Sequence, residues 1–169
     1  MTTKKPATKQ KLVDIKIIDR RLINKIQDIY YDSNEFVPAY QTSGAAGLDL
    51  RAMPTENIFL KPGERQKIPS GVSIHIKDPS LAGFVFPRSG LGSNGLVLAN
   101  SVGVIDSDYT GVIQLVLFNN SKNDIVIKPF DRVAQLIIMP ITRITWNHVL
   151  DFDTTERNYD GFGSTGISG

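Results

Sequence analysis

The residues of this sequence that could do chemistry lie in five short stretches separated by apolar segments. They are Asp49 in Ala-Gly-Leu-Asp-Leu-Arg, Arg88-Ser89-Gly90 after a proline, Asp106 and Asp108 in Ile-Asp-Ser-Asp-Tyr, Gln135 in Arg-Val-Ala-Gln-Leu, and Arg157 with Ser164-Thr165 near the end. Arginines, hydroxyl groups and backbone N–H groups beside glycines suit a bound polyphosphate. An aspartate can deprotonate an attacking water, and carboxylates suit a hard cation such as Mg²⁺. Together these stretches indicate metal-assisted hydrolysis of a phosphate ester or anhydride.

Each stretch also has an ordinary structural interpretation, and these alternatives stay open at this point. Aspartates often cap or solvate turns, Pro-Arg-Ser-Gly can form a plain turn, and a lone Gln135 in an apolar strand can be a satisfied core or interface group.

Other mechanisms are excluded by what the sequence lacks. It has no cysteine, so a thiolate nucleophile and a cysteine-ligated zinc site are ruled out. His75 and His148 fit no metal-ligand spacing, and neither a P-loop nor a G-x-S-x-G elbow is present.

The net charge of +2 is concentrated in the N-terminal tail. Four lysines and no acid give residues 1–11 a charge of +4, so the rest of the chain carries +2 − 4 = −2. A nucleic-acid-binding face is therefore not expected on the body, and the polar tail is predicted to be disordered. No apolar run approaches the ~18–20 residues of a membrane span. The absence of cysteine is compatible with a reducing compartment, and we expect a cytoplasmic protein. From the charge of the body and the lack of a long apolar run, we expect neither nucleic acid nor membrane as a partner.

The elements that must position these residues are short strands. Fourteen glycines and nine prolines are spread along the 169 residues, which is typical of many short elements joined by tight turns. The segments with strand patterns are 12–18, 47–52, 57–60, 65–68, 71–77, 82–86, 96–99, 102–105, 111–118, 124–128 and 132–139. Residues 19–37 fit a helix or an extended segment. The pattern predicts one all-β sandwich or barrel over residues 12–150, with at most one short helix. Residues 151–169 show no periodic pattern of apolar residues. They form either a frayed tail or an arm that orders over a ligand.

Taken in order, the five stretches resemble the five motifs of the trimeric dUTPase family, over roughly residues 38–166. The motifs are similar to AGLDLRA at 46–52, PRSGLG at 87–92, GVIDSDYTG at 103–111, RVAQL at 132–136 and RNYDGFGSTG at 157–166. One such motif would be a weak signal, whereas five in the same order are a strong one. The resemblance implies a distorted jelly-roll β-barrel that hydrolyses dUTP to dUMP and diphosphate with Mg²⁺ as cofactor. Such an enzyme keeps uracil out of DNA and supplies dUMP for dTMP synthesis.

The resemblance also implies a role for each residue at the phosphates. Asp106 corresponds to the general base that activates water for attack on the α-phosphorus. Asp49 corresponds to a residue beside the Mg²⁺ site that acts through a metal-bound water, because in this family the triphosphate oxygens themselves hold the metal. The residues that correspond to the phosphate-binding groups are Arg88, Ser89, Gly90 and Gln135.

The uracil slot corresponds to the hairpin from about residue 96 to residue 105. By the same resemblance, Asn100 and backbone groups read the base edge, and Tyr109 packs under the deoxyribose so that a 2′-hydroxyl is excluded. In the C-terminal arm, Phe162 corresponds to the residue that stacks over the uracil. The other substrate-binding residues of that arm are Arg157, Gly163, Ser164 and Thr165.

The family resemblance further implies a homotrimer whose active sites are shared, with the arm reaching across from a neighbouring subunit. This chain departs from the family pattern in the arm, where Asn158 and Asp160 stand in place of two glycines. Asparagine tolerates a positive φ best among the other residues, and aspartate does so to a lesser degree. Residues 19–36 also form a longer N-terminal stretch than is usual in the family.

Two rival interpretations come from other classes of protein. A dCTP deaminase-like enzyme shares the fold and the trimer, but it would need a catalytic acid/base aimed at cytosine C4, and no such motif is present. A non-catalytic β-barrel module that binds nucleotides or proteins is the second rival. It is disfavoured because Asp106, Tyr109, Phe162 and Arg157 are all retained.

Overall fold

The computed structural model describes residues 11–27 and 37–155, and strands make up most of its regular structure. The elements in chain order are β1 (Asp14–Ile17), α1 (Arg20–Gln27), β2 (Leu48–Arg51), β3 (Ile58–Leu60), β4 (Arg65–His75), β5 (Leu81–Pro87), α2 (Ser89–Ser93), β6 (Leu96–Leu98), β7 (Gly103–Ile105), β8 (Val112–Asn119), β9 (Ile125–Ile127) and β10 (Arg132–Pro140). Most of the predicted tail and arm, residues 1–10 and 156–169, lies outside the described ranges.

The strands form two four-stranded sheets, in the orders β1-β4-β8-β6 and β2-β10-β5-β7, with β3 and β9 as a separate pair. All neighbouring strands are antiparallel. In β8, Ile113, Leu115 and Leu117 are buried while Gln114 between them is exposed, which is the period of two expected for a strand with one face in the core. These side chains share one hydrophobic core with Val133 and Leu136 of the other sheet. The predicted all-β class is therefore confirmed.

The expectation of at most one short helix was wrong, because the described chain contains two. Part of the ambiguous N-terminal stretch forms α1, whose Leu22 is buried in the core. The second helix, α2, follows β5 directly and closes with a hydrogen bond from the Gly92 amide to the Arg88 carbonyl. Its sequence Ser-Gly-Leu-Gly-Ser has no apolar periodicity, so the pattern did not separate it from a turn. Neither helix in the described part of the chain is long and apolar enough to cross a membrane.

Strand β4 is one long strand where two were predicted, and an irregularity at Gly71 explains the difference. The pairing register with β8 shifts between Pro69 and Ser73, and Gly71 has a φ of +77°. The Gly71 carbonyl accepts hydrogen bonds from the amides of Ile18 and Asp19 at 2.8 and 3.1 Å. The irregularity at Gly71 therefore binds the backbone of the two residues that connect β1 to α1.

Arg21 anchors the start of α1 on the core. Its guanidinium pairs with Asp19 at 2.6 Å and donates to the carbonyls of Met53 at 2.8 Å and Pro54 at 2.5 Å. The hydrogen bond from Arg21 holds the pKa of the Asp19 carboxyl below its usual range. Because charge-assisted hydrogen bonds are the stronger ones, this group of contacts fixes where the helix begins.

We expect Gly71→Ala to lower the free energy of unfolding by about 2–4 kcal/mol, because it adds backbone strain at a positive φ and a steric overlap. An added Cβ would lie 2.8 Å from Leu22 Cδ1 and 2.9 Å from Met53 Cγ. The matched control is Gly63→Ala, since Gly63 has a φ of +78° but nothing within 4 Å of the added atom. That variant should lose only about 1–2 kcal/mol. Urea unfolding measures both, and equal losses would contradict the close packing of α1 on the bulge.

Candidate active site

Three of the predicted site residues are placed together by the register of β2, β10 and β5. Gln135 on β10 lies opposite Asp49 on β2 and opposite Phe86 on β5. Directly opposed residues project to the same face of a sheet, so Asp49 and Gln135 emerge side by side. Arg88 follows the last residue of β5 and reaches the same place. Strand pairing therefore brings together stretches that are more than 80 positions apart in the chain, as with Asp49 and Arg132 at a separation of 83.

The carboxylate of Asp49 is held between two guanidinium groups. Its Oδ1 lies 3.1 Å from Arg88 Nε and its Oδ2 lies 3.2 Å from Arg132 Nη1, and the Asp49 side chain is only 12% exposed. Arg88 also donates from Nη1 to the Arg132 carbonyl at 3.0 Å. Two positive charges against one negative charge leave this cluster with a net charge of +1. A partly buried cluster with excess positive charge is suited to bind an anion.

Gln135 lies against this cluster in a fixed orientation. Its Nε2 donates to the Pro87 carbonyl at 3.1 Å. A Cβ added to Gly47 would lie 2.7 Å from Gln135 Oε1, so the glycine of the first motif leaves room for this amide. The Gln135 amide is therefore held by its neighbours rather than free to rotate.

Sequence reasoning did not assign a role in the site to Arg132 or to Gln41. Arg132 Nη1 contacts both Asp49 and Gln41 Oε1, the latter at 2.9 Å. Arg132 stands three positions before Gln135, in the same motif, which is the signal that could have pointed to it. Gln41 lies in an irregular segment and its pattern gives no comparable signal.

Ser89 and Gly90 lie next to Arg88 at the exposed start of α2. A Cβ added to Gly90 would meet no atom within 4 Å. Packing inside the chain therefore does not require a glycine there, whereas close approach of a ligand to the backbone would.

Asp106 and Tyr109 lie in a different part of the chain, in the turn that follows β7. The Tyr109 amide donates to the Asp106 carbonyl at 3.1 Å, and the Tyr109 hydroxyl donates to the Val112 carbonyl at 3.1 Å. A Cβ at Gly111 would lie 2.5 Å from the tyrosine hydroxyl oxygen, so the glycine permits this contact. The Asp106 side chain is exposed, and it makes no ion pair with any residue in the described ranges.

Asn100 lies in the turn between β6 and β7, at the opposite end of β7 from Asp106. Ser101 in this turn has a φ of +62°, and the Val102 amide donates to the Asn100 carbonyl at 2.7 Å. A Cβ at Gly103 would lie 3.6 Å from Asn100 Nδ2 and 3.2 Å from Val85 Cβ. A turn is therefore present where a hairpin was predicted, and Asn100 is exposed in it. The prediction of a hairpin was wrong, because β6 and β7 belong to different sheets and do not pair with each other.

The structure does not bring Asp106 to Asp49 and Arg88 within one chain. Ile105, next to Asp106, pairs with Gly83 on β5, whereas the row of Asp49 and Gln135 crosses β5 at Phe86. At ~3.3 Å per residue and ~4.8 Å per strand, the separation is on the order of 15–20 Å. The two halves of the predicted site therefore cannot meet on one phosphoryl group unless different chains supply them.

The remaining predicted residues lie outside the described ranges; they are Arg157, Phe162, Gly163, Ser164 and Thr165. Within those ranges, no three His, Cys, Asp or Glu side chains are close enough to bind a metal ion together. Asp49 is the acidic side chain of the anion-binding cluster, and both of its oxygens contact guanidinium groups. This donor set fits contact with a cation through water, rather than a cage of protein ligands.

These features define a class: a β-barrel protein with a positively charged side-chain cluster suited to an anion and a separate exposed aspartate turn. The family model described as dUTPase matches residues 33–166 of the chain. The deoxyuridine 5'-triphosphate nucleotidohydrolase of Chromobacterium violaceum is 44% identical over 158 residues, covering 93% of this chain and 98% of that protein. The protein with the same description from Herminiimonas arsenicoxydans is 46% identical over 157 residues, with 92% and 98% covered. This chain belongs to the dUTPase family.

Solved structures agree on the fold. The Staphylococcus bacteriophage 80alpha dUTPase with dUPNHPP superposes with a TM-score of 0.72 at 24% identity, covering 94% of this chain and all (100%) of that one. A mutant dUTPase from phage phi11 of S. aureus, described with a structural Mg(II) ion, gives a TM-score of 0.66 at 21% identity over 85% and 99% of the two chains. At these identities the likeness concerns the fold, and it confirms the predicted barrel type.

We expect Asp49→Asn to make the fold less stable but the site more attractive to anions. The change raises the net charge of the cluster with Arg88 and Arg132 from +1 to +2, and it weakens two charge-assisted contacts, which costs about 1–3 kcal/mol. Thermal unfolding in EDTA should therefore give a lower Tm, and added pyrophosphate should raise the Tm of this variant more than that of the parent. Asp124→Asn, at an exposed position just before β9, is the charge-matched control. An equal response to pyrophosphate in all three proteins would contradict the assignment of this cluster as an anion site.

Proposed function

We propose that this protein hydrolyses dUTP to dUMP and diphosphate by attack of an activated water on the α-phosphorus. The observation that carries the proposal is the cluster in which Arg88 and Arg132 share the carboxylate of Asp49 beside Gln135. Family membership and the names of the two relatives support the substrate, since each is a deoxyuridine 5'-triphosphate nucleotidohydrolase.

The cluster binds the phosphates with groups that the fold leaves available. Arg88 uses Nε and Nη1 within the protein, which leaves Nη2 for a phosphate oxygen. The exposed Ser89 hydroxyl and the backbone at Gly90 lie next to it. Because the guanidinium is already fixed by two contacts, little side-chain entropy is lost when it binds the substrate.

Asp106 is the group that we assign as the general base. Its carboxylate is exposed in a turn held by the Tyr109 amide. It can therefore accept a proton from the water molecule that attacks the α-phosphorus. A positioned base of this kind contributes typically ~10²–10⁴-fold to the rate. Asp108, two positions along the same turn, is also exposed and has no assigned role in proton transfer.

Mg²⁺ fits this site through the substrate rather than through a protein cage. Asp49 would hold the ion by accepting a hydrogen bond from one of its waters, since each carboxylate oxygen keeps a lone pair beyond its guanidinium contact. When bound, the ion neutralises phosphate charge and orients the chain of phosphates. Arg88 and Arg132 hold the Asp49 carboxylate in place for that contact.

Selection for deoxyuridine is assigned to the two ends of β7. Asn100 and the backbone of its turn present donors and acceptors for the uracil edge, and a mismatched base leaves them unpaired. Tyr109 is 41% exposed and held by its hydroxyl contact to Val112, so its ring offers a fixed surface under the deoxyribose. Phe162 of the arm is assigned to stack on the base.

We assign the active unit as a homotrimer in which each site combines groups from different chains. The separation of Asp106 from Asp49 and Arg88 within one chain supports this, because one chain does not complete a site. Arg157, Gly163, Ser164 and Thr165 of a neighbouring arm would close on the outer phosphates, with Arg157 supplying further positive charge.

The experiment that tests the function is pyrophosphate release from dUTP, dTTP, dCTP and UTP, with and without Mg²⁺. We expect release from dUTP in Mg²⁺ and at least a roughly hundredfold lower rate from the other three. Cytosine would leave the base-reading groups of the Asn100 turn unpaired. The 5-methyl group of dTTP and the 2′-hydroxyl of UTP would instead be excluded by lack of room. Ammonia release from dCTP would favour the deaminase alternative. Absence of dUTP binding by calorimetry would favour the non-catalytic module.

We expect Asp106→Asn to lower kcat by roughly 10²–10⁴-fold while the Kd for a non-hydrolysable dUTP analogue changes little. The amide keeps the size of the side chain but cannot accept the proton from water. Asp108→Asn is the matched control in the same turn and should retain far more activity. Steady-state kinetics and calorimetry measure the two quantities, and full turnover by the Asp106 variant would refute its role as base.

Mixed oligomers test whether the site is shared. Asp106→Asn and Arg88→Ala chains are each expected to be inactive alone, but co-expressed with two tags and purified over both, they should regain activity. In a cyclic trimer with both chain types, about one site in three combines an intact Asp106 with an intact Arg88 from its neighbour. No activity in mixed trimers of verified composition would place the complete site within one chain.

A further inference from the structure

The turn between β4 and β5 contains a residue in an unusual backbone conformation. Lys77 has a φ of +66°, in the left-handed region that a residue with a side chain rarely adopts. Lys77 follows the buried Ile76 and precedes the turn at Asp78 that leads into β5. A conformation of this kind persists only where the surroundings hold it, and such positions often lie near functional sites.

The surroundings of Lys77 are the turn that carries the assigned base. The Lys77 amide donates a hydrogen bond to the Ser107 carbonyl at 3.0 Å, one residue beyond Asp106. The Tyr109 amide, in turn, donates to the Asp106 carbonyl within that turn. Directly before Asp106, Ile105 is fixed by its pairing with Gly83. The hydrogen bond from Lys77 thus links the Asp106 turn to a separate part of the chain, immediately after β7 ends.

The conformation of the β4–β5 turn is itself supported from two sides. Asp78 Oδ1 accepts hydrogen bonds from the Ser80 amide at 2.9 Å and the Ser80 hydroxyl at 2.6 Å, which fixes the start of β5. Ion pairs join Lys11 to Asp78 and Lys77 to Asp14 of β1. Exposed ion pairs of this kind contribute little on their own, so the contact to the Asp106 turn depends on the Lys77 backbone amide rather than on its ammonium group.

We propose that Lys77 is a positioning residue whose left-handed backbone lets the chain turn towards β5 while its amide stays bonded to Ser107, and so sets the position of Asp106 for the reaction. The inference rests on the proposed function, in which Asp106 is the base. A small displacement of a catalytic group can cost up to ~10²-fold in rate even when the altered residue is far from the chemistry. The position of Lys77 therefore governs kcat, whereas substrate affinity depends on the cluster around Asp49.

The test is a series at one position: Lys77→Gly, Lys77→Asn, Lys77→Ala and Lys77→Val. All four remove the ammonium group equally, but they tolerate a positive φ in the order Gly, Asn, Ala, Val. We expect kcat for dUTP to fall in that order, with Lys77→Val roughly 10–100-fold below Lys77→Gly. KM and the Kd of a non-hydrolysable analogue should stay within about threefold across the series, and gel filtration should show the same oligomer.

Lys122→Val is the control for placing a β-branched residue in an exposed turn, because Lys122 is exposed and has an ordinary negative φ. It should leave kcat unchanged. If Lys77→Val does not fold, the order among the other three variants still decides the matter. A series in which Tm falls but kcat stays level would overturn the positioning role. Full activity of Asp106→Asn would instead refute the role of Asp106 as base, and no pyrophosphate release from dUTP by the parent would overturn the proposed function, so these failures are distinguishable.

Discussion

The carboxylate of Asp49 between Arg88 and Arg132 is the interaction on which the candidate site depends. Without that negative charge, two guanidinium groups would repel each other at one end of the sheet, and each would lose a contact that holds it in place. With it, the cluster is fixed and keeps one net positive charge. Pairing of β2, β10 and β5 brings the three residues together. The cluster suited to an anion therefore exists only while these strands remain paired.

The division of the site into two halves follows from the same sheet. Asp49, Gln135 and Arg88 lie at one end of β2, β10 and β5, whereas Asp106 leaves β7 towards the other end. A rigid sheet cannot fold back on itself to close this gap. Under the proposed function, the two halves therefore come from different chains, and assembly would control activity directly.

Two left-handed positions, one within β4 and one just after it, connect the barrel to neighbouring segments of the chain. At Gly71 the bulge accepts the chain that leads into α1, and at Lys77 the turn reaches the loop of Asp106. Glycine suits the first position because Leu22 and Met53 leave no room for a Cβ. The second carries a lysine although a side chain is disfavoured there, which is the reason to connect it with function rather than packing.

The sequence predicts the β class, most strand positions, the family and the short motifs, because alternation, turn residues and motif spacing are local properties of the chain. It did not determine that β4 is continuous through Gly71, that α2 is helical, or that Arg132 and Gln41 join the cluster at Asp49. Those features depend on strand register and on contacts between residues as far apart as 91 positions, such as Arg132 and Gln41. They become visible only in the folded chain, since a local pattern does not specify which distant strand it will pair with.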